Sequence, residues 1–476
     1  MKKHYQLHFV GIGGIGMSGI AEIFLSRGMK VTGSDLASGD TTERLIRLGA
    51  EIFYGHQSSN IKDVDVVVIS SAVRPDNPEV LEARSRGIPV IPRAEMLAEI
   101  MRGKTGIAIA GTHGKTTTTS MTAQILMHAG LDPTVVVGGK VEAIGSNAKV
   151  GSGDLVVVEA DESDGSFHLL PATHAVITNI DLDHMEYYGT REKLNEAFIQ
   201  FSKKLPFYGR TWLCLDDAGV REIIPELTKP YSTYAISSAI SDSGSAQADL
   251  IAKDLQVLSG GRQSFEVWHR ENRVNVHHLL GPIVLNVLGR HNVLNALAAI
   301  GVSMSAGASF QAAKESLKEF NHVRRRFDQR YFSDQTGIRV VDDYGHHPTE
   351  VRAVLATARQ TGHPRIVTVF QPHRYTRTQL CWNEFLTCFQ DTDELIVLPI
   401  YAASEDPIEG VNSRALAAAI QNRLGPSVKV HLAESLEEAS QKVMAGVRND
   451  DLILTLGAGS ITQLSEKLAG LLNAAQ

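Results

Sequence analysis

The sequence predicts an α/β protein with three domains in series, each built on a mostly parallel sheet. Three observations carry this. Short runs of apolar, β-branched residues recur, and each is followed by a glycine-bearing turn and a stretch with helical spacing, the pattern of strand–helix–strand units. The 476 residues suffice for about three domains of roughly 150 residues. The composition, 43% hydrophobic and 21% charged, is that of a chain able to bury a large core.

The elements follow in order. "QLHFVGIGGIGMSGIAEIFLSRG" opens the first unit, and "KVTGSD", "VDVVVISSA" and "IPVI" supply further strands up to residue 103. "MRGKTG", residues 101–106, is polar and glycine-containing and suits a linker. The second unit starts with the strand "GIAIAG", continues into the helix "TTTTSMTAQILMHAG", and adds the strands "LVVVEAD" and "HAVITNID". From about 230 to 290 the chain turns rich in serine, glycine and β-formers. Antiparallel strands are expected there, with a mobile loop near 240–247, before a helix at "HNVLNALAAIGVSMSAG". The third unit follows the arginine run at 324–326, with strands in "IRVVDDY", "RIVTVFQ", "ELIVLPI" and "DLILTLGAG". The expected domains are 1–103, 104–323 and 324–476.

Charge and hydropathy exclude several function classes. A net charge of -7 leaves no basic excess to neutralise nucleic-acid phosphates. No apolar run reaches the ~18 residues of a spanning helix. The N-terminal segment superficially resembles a signal peptide, but it holds five glycines and then Glu22, and lacks an A-x-A site. Cys214, Cys381 and Cys388 have neither metal-type nor C-x-x-C spacing, so they read as buried reduced thiols of a cytosolic protein.

The stretch "AGTHGKTTTT", residues 110–119, is a shortened phosphate loop. The standard loop is G-x-x-x-x-G-K-[ST]; here Gly114, Lys115 and Thr116 fill the last three positions, Ile109 stands where the first glycine belongs, and Gly111 lies only three residues before Gly114. An apolar strand precedes it and a helix follows, the context in which backbone N–H groups face an anion. Lys115 can reach outer phosphates and the Thr116 hydroxyl can ligate magnesium. The alternative is a glycine turn capped by threonine.

Further polar clusters sit just past strands, where open α/β sheets place ligands. "VVVEADESD" offers Glu159, Asp161, Glu162 and Asp164, either a metal-holding set or a solvated acidic loop. "TNIDLDHMEYYG" offers Asp181, Asp183 and His184 for metal or water. In "GRHNVLNALAA", Asn292 and Asn295 share a helix face and suit a base edge, while a helix cap at Asn292 is the simpler reading. "HVRRRFD" reads either as a clamp closing on nucleotide or as a solvated linker. "VVDDYGHHPTE" places Asp342, Asp343, Tyr344, His346 and His347 after a strand, for substrate rather than metal, with Pro348 opening a helix. "FQPHRYTRT" offers His373, Arg374, Arg377 and Thr378, its arginines suited to a carboxylate or phosphate, the alternative being a solvated loop.

At the N-terminus, Gly11, Gly13 and Gly16 fit G-x-G-x-x-G between strand and helix, and Asp35 lies about 20 residues further on. This predicts backbone donors for a diphosphate, with Asp35 on a ribose; NAD and UDP both offer these groups. An oxidoreductase leaves Gly-Lys-Thr idle, and a simple ATPase leaves the first loop idle. An ATP-dependent enzyme whose other substrate carries a diphosphate uses both. A nicotinamide-dependent oxidoreductase and a non-enzymatic sensor of nucleotide sugars stand as alternatives.

Together, "GTHGKTTTT", "EADESD", "DHMEYYG", "GRHNVLNALAA", "RRRFD", "DDYGHHPTE", "QPHRYTRT" and "FVGIGGIGMSGIAE" resemble the motifs of the Mur ligases, in order, from about residue 7 to about 465. The resemblance implies a Rossmann-like UDP-binding domain, a P-loop ATPase-like domain with an added antiparallel β region, and a Rossmann-like C-terminal domain. It implies ATP-dependent joining of L-alanine to the lactyl carboxylate of UDP-N-acetylmuramate through an acyl phosphate, a cytoplasmic step of peptidoglycan precursor synthesis, by a monomer or homodimer. It implies that Gly111, Thr112, His113, Gly114, Lys115, Thr116 and Thr117 hold ATP with Asn292, Asn295, Arg326 and Asp343. Thr116, Glu159 and His184 would hold Mg2+, which selects Glu159 over Glu162. Tyr344, His346, Arg374 and Arg377 would serve the amino acid and the substrate carboxylate. Gly11, Gly13, Gly14, Gly16, Met17, Ser18, Asp35, Ser70 and Ser71 would line the UDP site. Lys115, His184 and His346 are the expected catalytic groups. The carbamylated lysine of several family members has no clear counterpart here.

Overall fold

Parallel strands covered on both faces must be apolar nearly throughout, and the sheets of this protein are built from such runs. The computed structural model describes residues 5–141, 146–236, 248–270, 276–321 and 323–474. The first sheet contains β1 (Gln6–Val10), β2 (Lys30–Asp35), β3 (Glu51–Tyr54), β4 (Val66–Ile69) and β5 (Val90–Pro92), all parallel, in the order β3-β2-β1-β4-β5. Helices α1 (Ile15–Ser26), α2 (Asp40–Arg47), α3 (Pro78–Ser85) and α4 (Arg93–Met101) accompany it. The order reverses between β1 and β4, which opens a crevice at their carboxyl ends.

Among the described residues the middle sheet has ten strands: β6 (Thr105–Ala110), β7 (Thr134–Val141), β8 (Ser146–Lys149), β9 (Leu155–Glu159), β10 (His174–Ile177), β11 (Arg210–Cys214), β12 (Tyr231–Ile236), β13 (Leu250–Leu258), β14 (Arg262–Arg270) and β15 (His277–Leu285). Their order is β15-β14-β13-β12-β11-β10-β6-β9-β7-β8. Its helices are α5 (Lys115–His128), α6 (Met185–Tyr188), α7 (Arg191–Lys203), α8 (Ala218–Ile223), α9 (Arg290–Ser305) and α10 (Phe310–Lys318). The neighbours β10, β6 and β9 end in "TNID", the phosphate loop and "EADESD", so register alone gathers three motifs at one edge.

The third sheet comprises β16 (Asp328–Phe332), β17 (Arg339–Asp343), β18 (Arg365–Phe370), β19 (Glu394–Val397), β20 (Lys429–Leu432) and β21 (Asp451–Leu456), ordered β16-β17-β21-β18-β19-β20. Only β16 runs antiparallel, along the edge of β17. Helix α11 (Pro348–Gln360) follows β17 and α12 (Tyr375–Leu380) follows β18. Apolar clusters cover both faces, one around Phe370, Phe385 and Phe389, the other around Val369, Ile453 and Leu468.

The architecture is thus three α/β domains, as the sequence predicts. By packing, the first two sheets form one compact unit with a shared core, in which Phe9 and Ile12 belong to the same apolar cluster as Ala108, Val158 and Phe198. The third sheet forms the other unit, which also takes in Val257–Gln263 and Val287–Asn292.

Three local expectations need correction. The segment 101–106 is not a linker throughout: Met101 ends α4, and Thr105 and Gly106 already belong to β6. Its polar look misleads because Thr105 pairs with Leu155 at the sheet's rim. The region from 230 is not simply antiparallel. β12 pairs parallel to both β11 and β13, since α8 carries the chain back across before β12. Only after Leu258 does the short turn 259–261 fold β13 and β14 into a hairpin. The loop expected near 240–247 lies outside the described residues. Finally, "HRYTRT" is not loop throughout: Arg377 lies in α12.

Helix α9 yields a stability prediction. A Cβ on Gly301 would fall 2.7 Å from the Trp212 ring, and that indole is fixed by its N–H donating to Ser305 Oγ at 3.0 Å. Glycine-to-alanine in a helix gains about 1 kcal/mol of propensity, while overpacking costs roughly 1–3 kcal/mol. Gly301→Ala should therefore lower the urea midpoint; a raised midpoint would show that the ring moves aside freely.

Candidate active site

The phosphate loop turns from β6 into α5 through Gly111–Gly114. Gly111 and Gly114 have φ of +125° and +80°. A Cβ on the first would meet Thr178 Oγ1 at 2.1 Å, and on the second Asn295 Oδ1 at 2.6 Å. Glycine alone satisfies both the backbone and the space. The loop is laced to the end of β10. Thr112 N–H donates to Asn179 O (3.1 Å) and His113 N–H to Asn179 Oδ1 (2.8 Å). Thr178 Oγ1 and Asn179 Nδ2 donate back to His113 O at 2.6 and 2.9 Å. Asp181 N–H donates to Thr112 Oγ1 at 2.9 Å, and Asp181 Oδ2 lies 3.1 Å from His113 Nε2. The amides of Lys115, Thr116 and Thr117 open α5, and by helix geometry lack partners within it. Asn295 accepts from Thr118 Oγ1 at 3.2 Å.

Lys115 Nζ donates to Gly111 O (2.7 Å), Thr112 O (3.1 Å) and Glu162 Oε2 (2.6 Å). Burial works against this ammonium, but the carboxylates of Glu162, Asp161 and Glu159 outweigh it and hold its pKa above the ordinary lysine value. Glu162 is fully buried; burial, with Asp161 beside it, pushes its carboxyl up against the pull of Lys115. Asp161 lies 3.3 Å from Arg93 Nη2. Burial would raise it too, yet Lys115 and Arg93 keep it below the usual range. Glu159, at the end of β9, accepts Gly138 N–H at 2.9 Å.

His184 adopts φ +56° immediately before α6. Its Nε2 lies 3.8 Å from Glu162 Oε1 and 3.9 Å from Asp183 Oδ2, and its Nδ1 lies 3.8 Å from Glu186 Oε1. Burial lowers its pKa, but Glu186, Asp183 and Glu162 prevail and raise it. The Tyr188 hydroxyl donates to Glu162 O and is kept protonated by burial. Carboxylates outnumber cations at this edge, which suits an added cation.

At the first sheet, Gly11 and Ile12 N–H groups donate to Ser34 O at 2.8 and 2.9 Å, and Gly13 N–H donates to Asp35 Oδ2 at 2.8 Å. A Cβ on Gly13 would fall 2.8 Å from that same oxygen. Asp35 thus already orders the loop in addition to facing the crevice. Met17 and Ser18 are buried, Met17 in the core and Ser18 donating to Ile15 O at 3.1 Å; the surface offered at the helix start is that of Gly14–Gly16. Ser70 and Ser71 follow β4 and are partly or fully exposed.

In the third sheet β17, β21 and β18 are neighbours, so their trailing loops lie side by side. Asp343 accepts N–H groups from Phe327 and Gly345, each at 2.7 Å, and burial raises its pKa to about 6 despite Arg326. Arg325 and Arg326 stack over Tyr344, at 5.0 and 5.1 Å from its ring centre. His346 Nδ1 lies 3.0 Å from Tyr344 O, and its ring packs 5.5 Å from that of His373. Arg377 is buried, its Nη1 3.2 Å from His373 Nδ1. Arg374 has φ +68° at the start of α12. Asn292 lies inside α9 rather than capping it, its amide donating to Leu288 O at 2.6 Å.

Similarity to known proteins covers the whole chain. Residues 6–105 match the Mur ligase family catalytic domain, 109–303 the Mur ligase middle domain, and 325–459 the Mur ligase glutamate ligase domain. The chain belongs to the Mur ligase family. A UDP-N-acetylmuramate–L-alanine ligase of Pelobacter propionicus is 52% identical, covering 99% of this chain and 98% of its own. One from Geobacter sulfurreducens is 50% identical over 98% and 97%. Among solved structures, a UDP-N-acetylmuramate–alanine ligase of Thermotoga maritima superposes with a TM-score of 0.80 at 31% identity, over 99% of this chain and 100% of its own. A murein peptide ligase of Psychrobacter arcticus gives 0.69 at 21% identity, over 98% of each chain, a likeness of fold.

Within this Mur ligase chain, the first unit gathers Gly111–Thr117, Glu159, His184 and Asn295 at the middle sheet, and Gly11–Ser18, Asp35, Ser70 and Ser71 at the first sheet. The second unit gathers Arg326, Asp343, Tyr344, His346, Arg374 and Arg377, and packing assigns Asn292 to it as well. Sequence reasoning did not single out Thr178, Asn179, Glu350 or Gly457, whose N–H donates to Asp343 O at 3.1 Å. Asn179 had one signal, its place directly after a strand in "TNID". Glu350 binds His346 and His347 N–H at 3.0 and 3.2 Å and was visible only as the third helical residue after His347.

Asp343 sets a pH prediction. Its folded pKa of about 6 exceeds its ordinary 3.8, so the folded state holds the proton more tightly. Its effect favours folding at low pH and is lost as pH rises from about 4 through 6, by up to about 3 kcal/mol. Denaturation measured from pH 4 to 8 should show this decline in the wild type and a flatter profile in Asp343→Asn; parallel profiles would contradict the assignment.

Proposed function

We propose that this chain joins L-alanine to the lactyl carboxylate of UDP-N-acetylmuramate at the expense of ATP, supplying peptidoglycan precursor synthesis in the cytoplasm. The observation that carries this reading is Lys115, charged and seated in a glycine loop between strand ends rich in carboxylates. A second anion-binding loop, Gly11–Gly16, stands at another sheet of the same unit. Two such loops fit ATP and a diphosphate-bearing acceptor. The domains are taken as 1–103 for UDP-sugar, 104–323 for ATP, and 324–476 for the amino acid, in a monomer or homodimer.

A carboxylate is a poor electrophile, so ATP first phosphorylates it, giving an acyl phosphate. The L-alanine amine then attacks, the tetrahedral intermediate collapses, and phosphate leaves. The protein mainly positions reactants and neutralises charge. Lys115 exchanges its carboxylate partner for ATP phosphate, while Gly111–Thr117 present amides. Asn292 and Asn295 are assigned to adenine, and Arg326 and Asp343 to ATP. Thr116 and Glu159 would hold Mg2+ through oxygen donors, which suit that hard cation in a carboxylate-rich setting, with His184 adding an imidazole nitrogen; the ion would supply charge neutralisation to phosphoryl transfer. His346 Nδ1 lies against a carbonyl oxygen, so it carries the proton and leaves Nε2 to accept one from the amine. Buried Arg377, with Arg374 and Tyr344, serves carboxylate recognition.

The test is phosphate release from ATP and magnesium with UDP-N-acetylmuramate, with and without L-alanine, glycine, L-serine and murein tripeptide. Release needing the sugar nucleotide and fastest with L-alanine is expected, and Lys115→Ala should reduce it roughly 100-fold or more. Tripeptide preference would make it a recycling ligase; nicotinamide turnover, or binding without release, would overturn the reading. His346→Ala should slow product formation more than acyl-phosphate formation, read as retained isotope exchange between ADP and ATP.

A further inference from the structure

Glu79 is the second residue of α3 and is wholly buried, yet it belongs to none of the loops assigned above. Four polar side chains converge on its carboxylate. Ser34 Oγ donates to Oε2 at 2.6 Å and Asn60 Nδ2 to Oε1 at 2.6 Å. His56 Nδ1 lies 2.9 Å from Oε2 and His8 Nε2 3.5 Å from Oε1. These partners come from β1, β2 and the segment after β3, and Glu79 itself follows the turn that carries Ser70 and Ser71. Burial alone would raise such a carboxyl; the nearby His8 imidazole, with the hydrogen bonds from Ser34 and Asn60, prevails and holds it below the usual carboxylate value.

The partner that matters most is Ser34. Its side chain is held by Glu79, and its carbonyl receives the N–H groups of Gly11 and Ile12. The next residue, Asp35, receives Gly13 N–H. The glycine loop therefore hangs from the end of β2, and that end is fixed by Glu79. A buried carboxylate is costly to desolvate, and here its polar neighbours offset that cost. What the carboxylate adds is a fixed meeting point for four segments at the crevice edge of the sheet.

We propose that Glu79 is a positioning residue for the sugar-nucleotide site, setting the glycine loop and Asp35 through Ser34. The inference rests on the ligase reading and concerns only its UDP-bearing substrate. Glu79→Gln preserves volume and replaces an acceptor of several donors with an amide that can accept only part of them. In phosphate-release assays it should raise KM for UDP-N-acetylmuramate about tenfold or more, with KM for ATP and kcat changed less than twofold. Glu79→Asp should recover part of the loss. If Glu79→Gln does not fold, Ser34→Ala cuts the same link at its other end and should raise the same KM. A lowered melting temperature with an unchanged sugar-nucleotide KM would overturn the proposal and leave Glu79 a purely structural group, as would equal effects on both substrates. Failure of the wild type itself to release phosphate with this sugar nucleotide would instead sink the ligase reading, so the two failures are distinguishable.

Discussion

A lysine ammonium buried among carboxylates at the edge of the middle sheet is the constraint around which the rest is arranged. Glu162, with Asp161 and Glu159 behind it, keeps Lys115 charged there, and Lys115 draws Glu162 towards ionisation; removing one partner of such a pair costs roughly 3–5 kcal/mol. The pair in turn requires β9 beside β6, since Glu162 follows one strand and Lys115 the other. Sheet order, loop geometry and charge are thus three descriptions of one requirement. Phosphate can take over from the carboxylate, because Lys115 is also held by two carbonyl oxygens that need not move.

The same logic recurs with different chemistry in the other sheets. In each, the polar groups emerge from the carboxyl ends of adjacent parallel strands whose interiors are apolar. At the first sheet the end of β2 accepts loop amides, so the loop is shaped by acceptors beneath it. At the third sheet Asp343 plays that part, accepting two amides while Arg326 and Tyr344 lie alongside. Each site has a buried carboxylate as its anchor, with glycine or arginine near the working surface.

Local pattern made much of this legible. The placing of Gly-Lys-Thr between an apolar strand and a helix was legible because its parts are contiguous, and that of Asp35 beside the Gly11 loop because one crossover sets it. Choosing Lys115's partner from sequence was out of reach: Glu159, Asp161, Glu162 and Asp164 share one strand end, and only packing selects Glu162 for burial. The direction of β12 was likewise hidden, since strand composition does not encode which way a neighbour runs. Asn292 looked like a cap because asparagine near a helix start favours that role, but the helix begins earlier, at Arg290. Glu79 carried no signal at all, its four partners being scattered from His8 to Asn60.

The order of strands in the middle sheet also has a consequence in time. β6 is synthesised well before its partners β9 and β10, and the loop after it is held by Thr178 and Asn179. A chain emerging from the ribosome therefore carries Gly111–Gly114 without its scaffold until Asn179 has appeared. Parallel pairings between distant segments form slowly, so this loop takes its finished shape at a late stage of folding. Any ligand that binds only the finished loop would favour chains in which those contacts are complete.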